Sequence, residues 1–178
     1  SEEGGSGPFE EIMSKYGGEA IVSINVGSTL DYRDSCLEHA REHRAIVIFL
    51  QEAGRKGRDG APIIEGYHRI QTDKLCTYVR DDLEVGKAVE LDQQTTTLLG
   101  GSSILGVLVI DNELSIYCIN VHYTGGTQRR FIDALIQEIA DAPSNKVIIG
   151  GDLNRLVSRG AGGGPEANLR KMGLPRVG

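Results

Sequence analysis

The chain contains the stretch Val147-Ile148-Ile149-Gly150-Gly151-Asp152-Leu153-Asn154, in which an apolar run ends in a glycine pair followed by two polar side chains. Glycines let the backbone turn sharply because they have no Cβ. Residues two apart in an extended segment point the same way, so Asp152 and Asn154 share a direction where the strand ends. α/β proteins usually place their chemistry at this end of a strand. Gly-Asp is also common in ordinary turns, so the stretch indicates a candidate site and does not define one.

Three further segments of the chain have the same character. Each is largely apolar and ends in, or is followed by, amide, carboxylate or imidazole side chains. The segments are residues 20–24 before Asn25, residues 46–50 before Gln51 and Glu52, and residues 117–122, in which Asn120 and His122 share a face.

In chain order these segments resemble the endonuclease/exonuclease/phosphatase superfamily, which includes DNase I-like nucleases, abasic-site endonucleases and the endonuclease domains of non-LTR retrotransposons. Residues 75–83, LCTYVRDDL, look most like the retrotransposon branch. The resemblance runs from about Ile21 to Leu174. It implies a four-layer α/β sandwich of the DNase I-like type for residues 19–178, with residues 1–18 expected to be a linker or a cloning remnant.

The sequence departs from the family pattern after Asn154. That pattern continues to a strand carrying an Asp and then to a Ser-Asp-His segment, whereas none of the four histidines here follows Asp152. We therefore expect the fold to be C-terminally incomplete, with a partner chain or a downstream segment covering the exposed edge. We also expect this chain alone to cleave DNA poorly.

Glu52 is the strongest candidate metal ligand. A carboxylate placed directly after a buried apolar strand is costly unless it is exposed or paired with a cation. Mg²⁺ prefers one or two carboxylates together with waters and phosphate oxygens. The resemblance implies that Glu52 binds Mg²⁺ (or Mn²⁺) and that Asn25 supports it; the alternative is that Glu52 simply begins a loop.

The resemblance also implies catalytic roles for Asp152, Asn154 and His122. Asp152 would orient or deprotonate the attacking water, and Asn154 would bind the phosphate or the leaving group. His122 and Asn120 would together place an imidazole and an amide near the phosphate. Structural alternatives remain open, since an Asp and an Asn here also form an Asx turn, and a lone strand histidine is more often structural.

The charge pattern is mixed. A formal net charge of −6 argues against a generally basic nucleic-acid binder. Basic residues nevertheless follow the same strand ends as the polar side chains, and a local basic patch can track phosphates even on an acidic protein. The predicted substrate contacts are Arg55, Arg80 and Arg155, and the pair Arg129-Arg130 opens a predicted helix.

Several function classes are disfavoured. Three separated cysteines have no zinc-binding spacing and predict free thiols in a reducing, intracellular compartment, taken here to be the nucleus. No apolar run is long enough to span a bilayer, and no signal peptide is seen, so no membrane association is predicted.

Two hypotheses of different classes follow. The first is a Mg²⁺-dependent phosphodiester hydrolase, a DNA-nicking endonuclease domain of the retroelement type; phosphatases share the same family pattern. The second is a catalytically incomplete member that serves as a binding or assembly domain in a larger nucleoprotein. The polar residues retained at the strand ends favour the first, and the missing Ser-Asp-His segment favours the second.

Local patterns predict the elements between these motifs. Helices are expected over residues 34–43, capped by Asp34, over 127–140, capped by Thr127, and over 165–172. Antiparallel strands are expected over residues 67–70, 74–80 and 85–91, with one of the pairs Tyr78/Arg80 and Thr77/Val79 facing solvent. A hairpin is expected over residues 104–122 around Asp111-Asn112.

Overall fold

The structure is a computed structural model that describes residue 7 and residues 9–25, 30–52, 60–125 and 128–152. Helices and strands alternate along this part of the chain. The elements in order are α1 (Glu10–Tyr16), β1 (Ile21–Asn25), α2 (Leu30–Glu42), β2 (Val47–Gln51), β3 (Tyr67–Gln71), β4 (Leu75–Arg80), β5 (Glu84–Glu90), α3 (Gln93–Leu98), β6 (Ser103–Asp111), β7 (Leu114–His122), α4 (Gln128–Ala140) and β8 (Val147–Asp152).

The strands form two four-stranded sheets, with the orders β1-β2-β4-β3 and β5-β6-β7-β8. An apolar core joins the inner faces of the sheets, for example Phe49 and Val79 from the first with Val107 and Ile148 from the second. α2 packs on the outer face of the first sheet and α4 on the outer face of the second. These four layers confirm the predicted α/β sandwich.

β2 and β4 are the inner strands of the first sheet, and every residue in both is buried. An inner strand covered by a helix on one face and by a second sheet on the other has no solvent side. The expectation that one of the pairs Tyr78/Arg80 and Thr77/Val79 faces solvent is therefore wrong. Successive side chains of each strand do point to opposite faces of the sheet, but both faces are buried.

The predicted hairpin is confirmed, since β6 and β7 pair antiparallel with Asp111 opposite Leu114. Asn112 has φ 53°, a left-handed conformation that Asn tolerates in tight turns. The helix predicted from Asp34 begins earlier, at Leu30, so Asp34 is not its cap. The predicted cap Thr127 and the predicted helix over 165–172 lie outside the described residues.

The prediction of three consecutive antiparallel strands is wrong in its last step. β3 and β4 do pair, but β5 pairs with β6 in the second sheet, so the chain crosses between the sheets after Arg80. Local pattern identifies strands without showing which sheet they join, because pairing depends on partners distant in sequence.

α1 lies within the segment expected to be a linker, and Phe9 and Ile12 are 2% and 1% exposed in the core between the sheets. That expectation is wrong for this part of residues 1–18. α1 is only seven residues long, and so short a helix has little intrinsic stability in water. Burial of its apolar side chains against both sheets stabilises it.

Gly150 and Gly151 lie inside β8 and do not end it in a sharp turn. A Cβ on Gly150 would come within 2.4 Å of the Phe49 ring, so glycine lets the two sheets approach closely here. Gly151 has φ 120°, and a Cβ there would meet the Val121 carbonyl oxygen at 2.2 Å. The glycine pair therefore serves close packing at the end of the strand.

Candidate active site

Four parallel-paired strands end at one rim of the sandwich. β1 and β2 run parallel with Asn25 opposite Gln51, and β7 and β8 run parallel with His122 opposite Asp152. Parallel neighbours have their carboxyl ends at the same edge of a sheet. The backbone positions of the predicted site residues Asn25, His122 and Asp152, and of Gln51 just before Glu52, are therefore brought to this rim.

Glu52 and His122 meet there across the two sheets. The Nε2 atom of His122 lies 3.5 Å from Oε1 of Glu52. The imidazole is almost enclosed, with 9% of its side chain exposed, whereas 39% of the Glu52 side chain is exposed. The pair therefore combines a nearly enclosed imidazole with a carboxylate that solvent can reach.

The backbone at Glu52 is strained. Its φ is 57°, a left-handed conformation that costs an ordinary residue roughly 1–2 kcal/mol. Such a conformation persists only where the surrounding structure imposes it, and it is concentrated at functional sites. The strain marks the position where the chain leaves β2 and the carboxylate meets His122.

Contrary to the prediction, Asn120 does not face the rim. It is 0% exposed, and its amide joins the two sheets: Oδ1 accepts a hydrogen bond from Gln51 Nε2 at 3.0 Å, and Nδ2 donates to the Cys76 carbonyl oxygen at 3.1 Å. The prediction that Asn120 contacts substrate is therefore wrong. The polar atoms of Asn120 are enclosed between the sheets and make structural hydrogen bonds instead.

Arg80 does not join the site either. The backbone N–H of Arg80 donates to the carbonyl oxygen of Ile46, which directly precedes β2. Because β2 ends at Gln51 near the rim, Arg80 lies at the opposite end of the sandwich. Its guanidinium is buried and donates to Asp82 and to the Gly17 carbonyl oxygen. The prediction that Arg80 contacts substrate is wrong.

The remaining predicted residues are described only in part. Asp152 is described by its backbone, as the last residue of β8. Asn154, Arg55 and Arg155 lie outside the described residues. Their roles therefore stay predictions.

The donors at the rim fit Mg²⁺ better than a transition metal. No group of three or more His, Cys, Asp or Glu side chains suited to a metal occurs within the described part of the chain. Mg²⁺ needs only one or two carboxylates, because it keeps several waters and takes phosphate oxygens from its substrate. Glu52 supplies one exposed carboxylate, and Asn25 ends the neighbouring strand one register step away.

Thiol chemistry does not explain the site. Burial raises the pKa of the Cys76 thiol to about 12 and also raises that of Cys118. A thiol with a pKa this far above neutrality carries almost no thiolate, which is the reactive form. Both cysteines are free, as predicted, and act as packing residues.

A polar cavity of about 170 Å³, which the sequence did not predict, is lined in part by the start of β6. Ser103, which pairs with His122, lines it, as do Lys74 and Thr96. Gly100 and Gly101 lie in a loop held by two hydrogen bonds: Lys74 Nζ donates to the Gly101 carbonyl oxygen at 2.6 Å, and Thr124 Oγ1 donates to that of Gly100 at 2.8 Å. No local signal marks such a cavity, since its lining comes from separate elements.

No helix within the described ranges has the length and apolar character needed to cross a membrane. Neither a protein-family model nor a curated protein matches the chain.

The fold, in contrast, is shared with solved structures. A D. rerio TDP2 humanized by 14 mutations matches with a TM-score of 0.62 and 19% identity, over 87% of this chain and 66% of that one. TDP2 from C. elegans matches with a TM-score of 0.59 and 21% identity, over 84% and 54%. The endonuclease domain of TRAS1, a telomere-specific non-LTR retrotransposon, matches with a TM-score of 0.57 and 18% identity, over 75% and 59%.

This chain thus spans between about half and two thirds of the length of each of these structures. At these identities the likeness concerns the fold alone. The chain has an α/β fold of the DNase I-like type, which these solved structures share.

Proposed function

We propose that the chain acts in Mg²⁺-dependent phosphodiester hydrolysis of nucleic acid, with DNA as the substrate, as a nicking endonuclease domain of the retroelement type. The observation that carries the proposal is the contact between Glu52 and His122 at the rim where four strands end. The fold is shared with the TRAS1 endonuclease domain and with a D. rerio TDP2 solved in complex with single-strand DNA product, which supports a nucleic-acid substrate.

Glu52 would hold the cation, with support from Asn25. Its Oε1 faces His122, so the other carboxylate oxygen remains for a ligand on the exposed side. Bound Mg²⁺ would neutralise charge that builds on the phosphate oxygens during hydrolysis.

His122 would hold a proton at Nε2, between the Glu52 carboxylate and the substrate. The Glu52 carboxylate would favour the protonated form of Nε2 in the absence of substrate. The enclosed position of the ring excludes bulk water from one side, which strengthens its hydrogen bonds. When substrate binds, the Nε2 proton would turn from the Glu52 carboxylate to a phosphate oxygen or the leaving group, because one N–H cannot serve both partners at once.

Asp152 and Asn154 complete the proposed site. Asp152 would take a proton from the attacking water, and its backbone lies next to that of His122 in the sheet. Asn154 would donate its amide to the phosphate. Alanine at either position should lower kcat by a factor on the order of 10² with little change in KM, because these contacts would strengthen in the transition state.

Positive charge near the rim supports a polyanionic substrate. α4 begins six residues after His122, and Arg129 and Arg130 are exposed in its first turn, which has no acidic residue. A helix N-terminus disfavours cations by roughly 0.3–1 kcal/mol each, so this placement does not serve helix stability. Arg55 and Arg155 are proposed to extend the same contact with the phosphates.

The proposal is tested with supercoiled plasmid, a matched RNA and a phosphomonoester, each incubated with the chain in Mg²⁺ and in EDTA. We expect slow, EDTA-sensitive conversion of plasmid to the nicked circle, with little release of phosphate from the monoester. Preferential hydrolysis of the monoester would instead indicate a phosphatase. Binding of DNA without cleavage in Mg²⁺ or Mn²⁺ would contradict the proposal and favour a binding domain.

A further inference from the structure

Glu52 and His122 belong to different sheets, so their contact depends on how the sheets are placed relative to each other. Glu52 follows β2 in the first sheet, and His122 ends β7 in the second. Between them the core is mostly apolar, and apolar packing is not directional. Something at the rim must therefore fix the two strand ends to within a fraction of an ångström if the pair is to work as a unit.

A buried amide bridge lies directly beneath the pair. Gln51 and Asn120, 1% and 0% exposed, are joined by a 3.0 Å hydrogen bond from Gln51 Nε2 to Asn120 Oδ1. Gln51 Nε2 also donates to Ser23 Oγ at 3.3 Å, and Asn120 Nδ2 donates to the Cys76 carbonyl at 3.1 Å and to Thr77 Oγ1 at 3.3 Å. The bridge thereby links β1, β2 and β4 of the first sheet to β7 of the second.

The bridge differs from its surroundings. Elsewhere the core between the sheets is built from side chains such as Phe49, Val107 and Ile116. Polar groups buried in such a core add little net stability compared with apolar groups of the same shape, but unlike them they impose direction and distance. Their presence at this one level of the core calls for a reason other than stability.

The positions of Gln51 and Asn120 next to Glu52 and His122 in the chain supply that reason. Gln51 is adjacent to Glu52, whose φ of 57° fixes where its carboxylate leaves the strand. Asn120 is two residues before His122 in β7, on the same inner face. A displacement at the bridge therefore moves both members of the pair relative to each other.

We propose that Gln51 and Asn120 are positioning residues, whose bridge sets the distance between Glu52 and His122 without touching substrate. The inference rests on the proposed function for its kinetic consequence, but its geometric consequence is independent of activity. It also explains why Asn120 shares a face with His122 and yet is closed to solvent.

The test uses the full chain with the double variant Gln51→Met/Asn120→Leu, which replaces both amides by apolar groups of similar size. Replacing both partners of a buried hydrogen bond by such groups can be nearly neutral for stability. We expect a melting temperature close to wild type, kcat for plasmid nicking lowered by about 10- to 100-fold, and KM unchanged. A folded double variant with wild-type kcat would overturn the proposal.

A matched control is Cys118→Val, in the same strand and on the same buried face but outside the bridge. It perturbs packing between the sheets by a similar change of side chain and should leave kcat within about 2-fold, since no hydrogen bond of the bridge is lost. Equal losses of kcat in the control and in the double variant would show a packing effect and overturn the positioning role. If the double variant does not fold, Thr77→Val removes one acceptor of the bridge, and an unchanged kcat there would also overturn it.

A second readout does not require activity, so it separates this proposal from the proposed function. The ring signals of His122 in ¹H–¹³C NMR spectra should shift when Glu52→Gln is introduced into the wild-type chain. The same change introduced into the double variant should leave them nearly unmoved. Equal shifts in the two backgrounds would show that the pair keeps its distance without the bridge, and the proposal would fail whether or not the chain cleaves DNA.

Discussion

The two ends of the sandwich contain similar polar side chains but use them differently. At the end away from the rim, Arg80 is 5% exposed, and its guanidinium donates to Asp82 at 2.8 Å, to the Gly17 carbonyl at 2.7 Å and to the Arg44 carbonyl at 2.9 Å. At the rim, the Glu52 side chain is 39% exposed on a left-handed backbone and faces a neighbouring imidazole. The far end pairs most of its charge inside the fold, with Arg80 Nη2 the one nitrogen of that guanidinium that has no hydrogen-bond partner among the described residues, whereas the rim exposes its charge.

The same contrast extends to the connecting elements. At the far end, Asp111 accepts from Tyr16 at 2.8 Å and from Lys15 at 3.3 Å, which ties α1 to the β6–β7 hairpin. In the helix that follows the rim strand β7 in the chain, Arg129 and Arg130 are exposed in the first turn, which disfavours positive charge. Charge satisfied inside the fold stabilises it, whereas charge placed against local preference is available to a ligand.

The largest expected effect is on stability, at the far end. Arg80→Met removes a buried cation and leaves Asp82 and two carbonyl oxygens without it, which should lower the free energy of unfolding by about 3 kcal/mol. Chemical denaturation would measure this. Arg41→Met is the matched control, because Arg41 pairs with Glu38 on the surface, where solvent screens the pair and little stability is lost with it. Equal losses in the free energy of unfolding in the two variants would contradict the expected difference between a buried and an exposed charge.

A large effect on activity is expected at the rim. Glu52→Gln keeps the shape but removes the negative charge, so Mg²⁺ binding should weaken severely and nicking should fall by a factor on the order of 10² or more. Isothermal titration and plasmid assays measure the two effects. Glu84→Gln, an exposed carboxylate at the start of β5, should change neither. Unchanged Mg²⁺ affinity in the Glu52 variant would contradict its assignment as the metal ligand.

A smaller effect is expected from the basic turn of α4. Arg129→Glu combined with Arg130→Glu should weaken DNA binding by roughly 10-fold or more and lower the salt dependence of binding by about one unit per lost phosphate contact. The same change should stabilise α4 slightly, because acidic residues suit a helix N-terminus. Filter binding at several salt concentrations and thermal melting measure both. Weaker binding accompanied by lower stability would point to local unfolding.

The smallest expected effect concerns the strain at Glu52. Glu52→Gly relieves the left-handed conformation but adds freedom to the unfolded chain, so the free energy of unfolding should rise by about 0–1 kcal/mol while activity is lost. Denaturation of this variant beside Glu52→Gln separates backbone strain from the loss of the carboxylate. A clear loss of stability in the glycine variant alone would show that the left-handed backbone at this position is not strained.

Much of the fold could be predicted from local pattern. The apolar runs before Asn25 and Gln51 became β1 and β2, and the Asp111-Asn112 turn joined β6 to β7, because these features depend on neighbours in sequence. The start of α2 and the short helices α1 and α3 were missed. α1 is stabilised by packing of its buried side chains. α3 has an N-cap, Asp92, whose carboxylate accepts a hydrogen bond from the Thr95 amide at 2.7 Å.

The candidate site divides in the same way. The polar groups at the strand ends could be identified from local pattern, since an Asn, a Glu, a His and an Asp each follow or end an apolar run. Which of these groups meet depends on how the two sheets pack. Glu52 and His122 come together because two sheets pack face to face, while Asn120 is closed between those sheets and Arg80 lies at the far end. The physical reason is that a strand's alternation assigns each side chain to a face, whereas the partner of that face is set by contacts between segments distant in sequence.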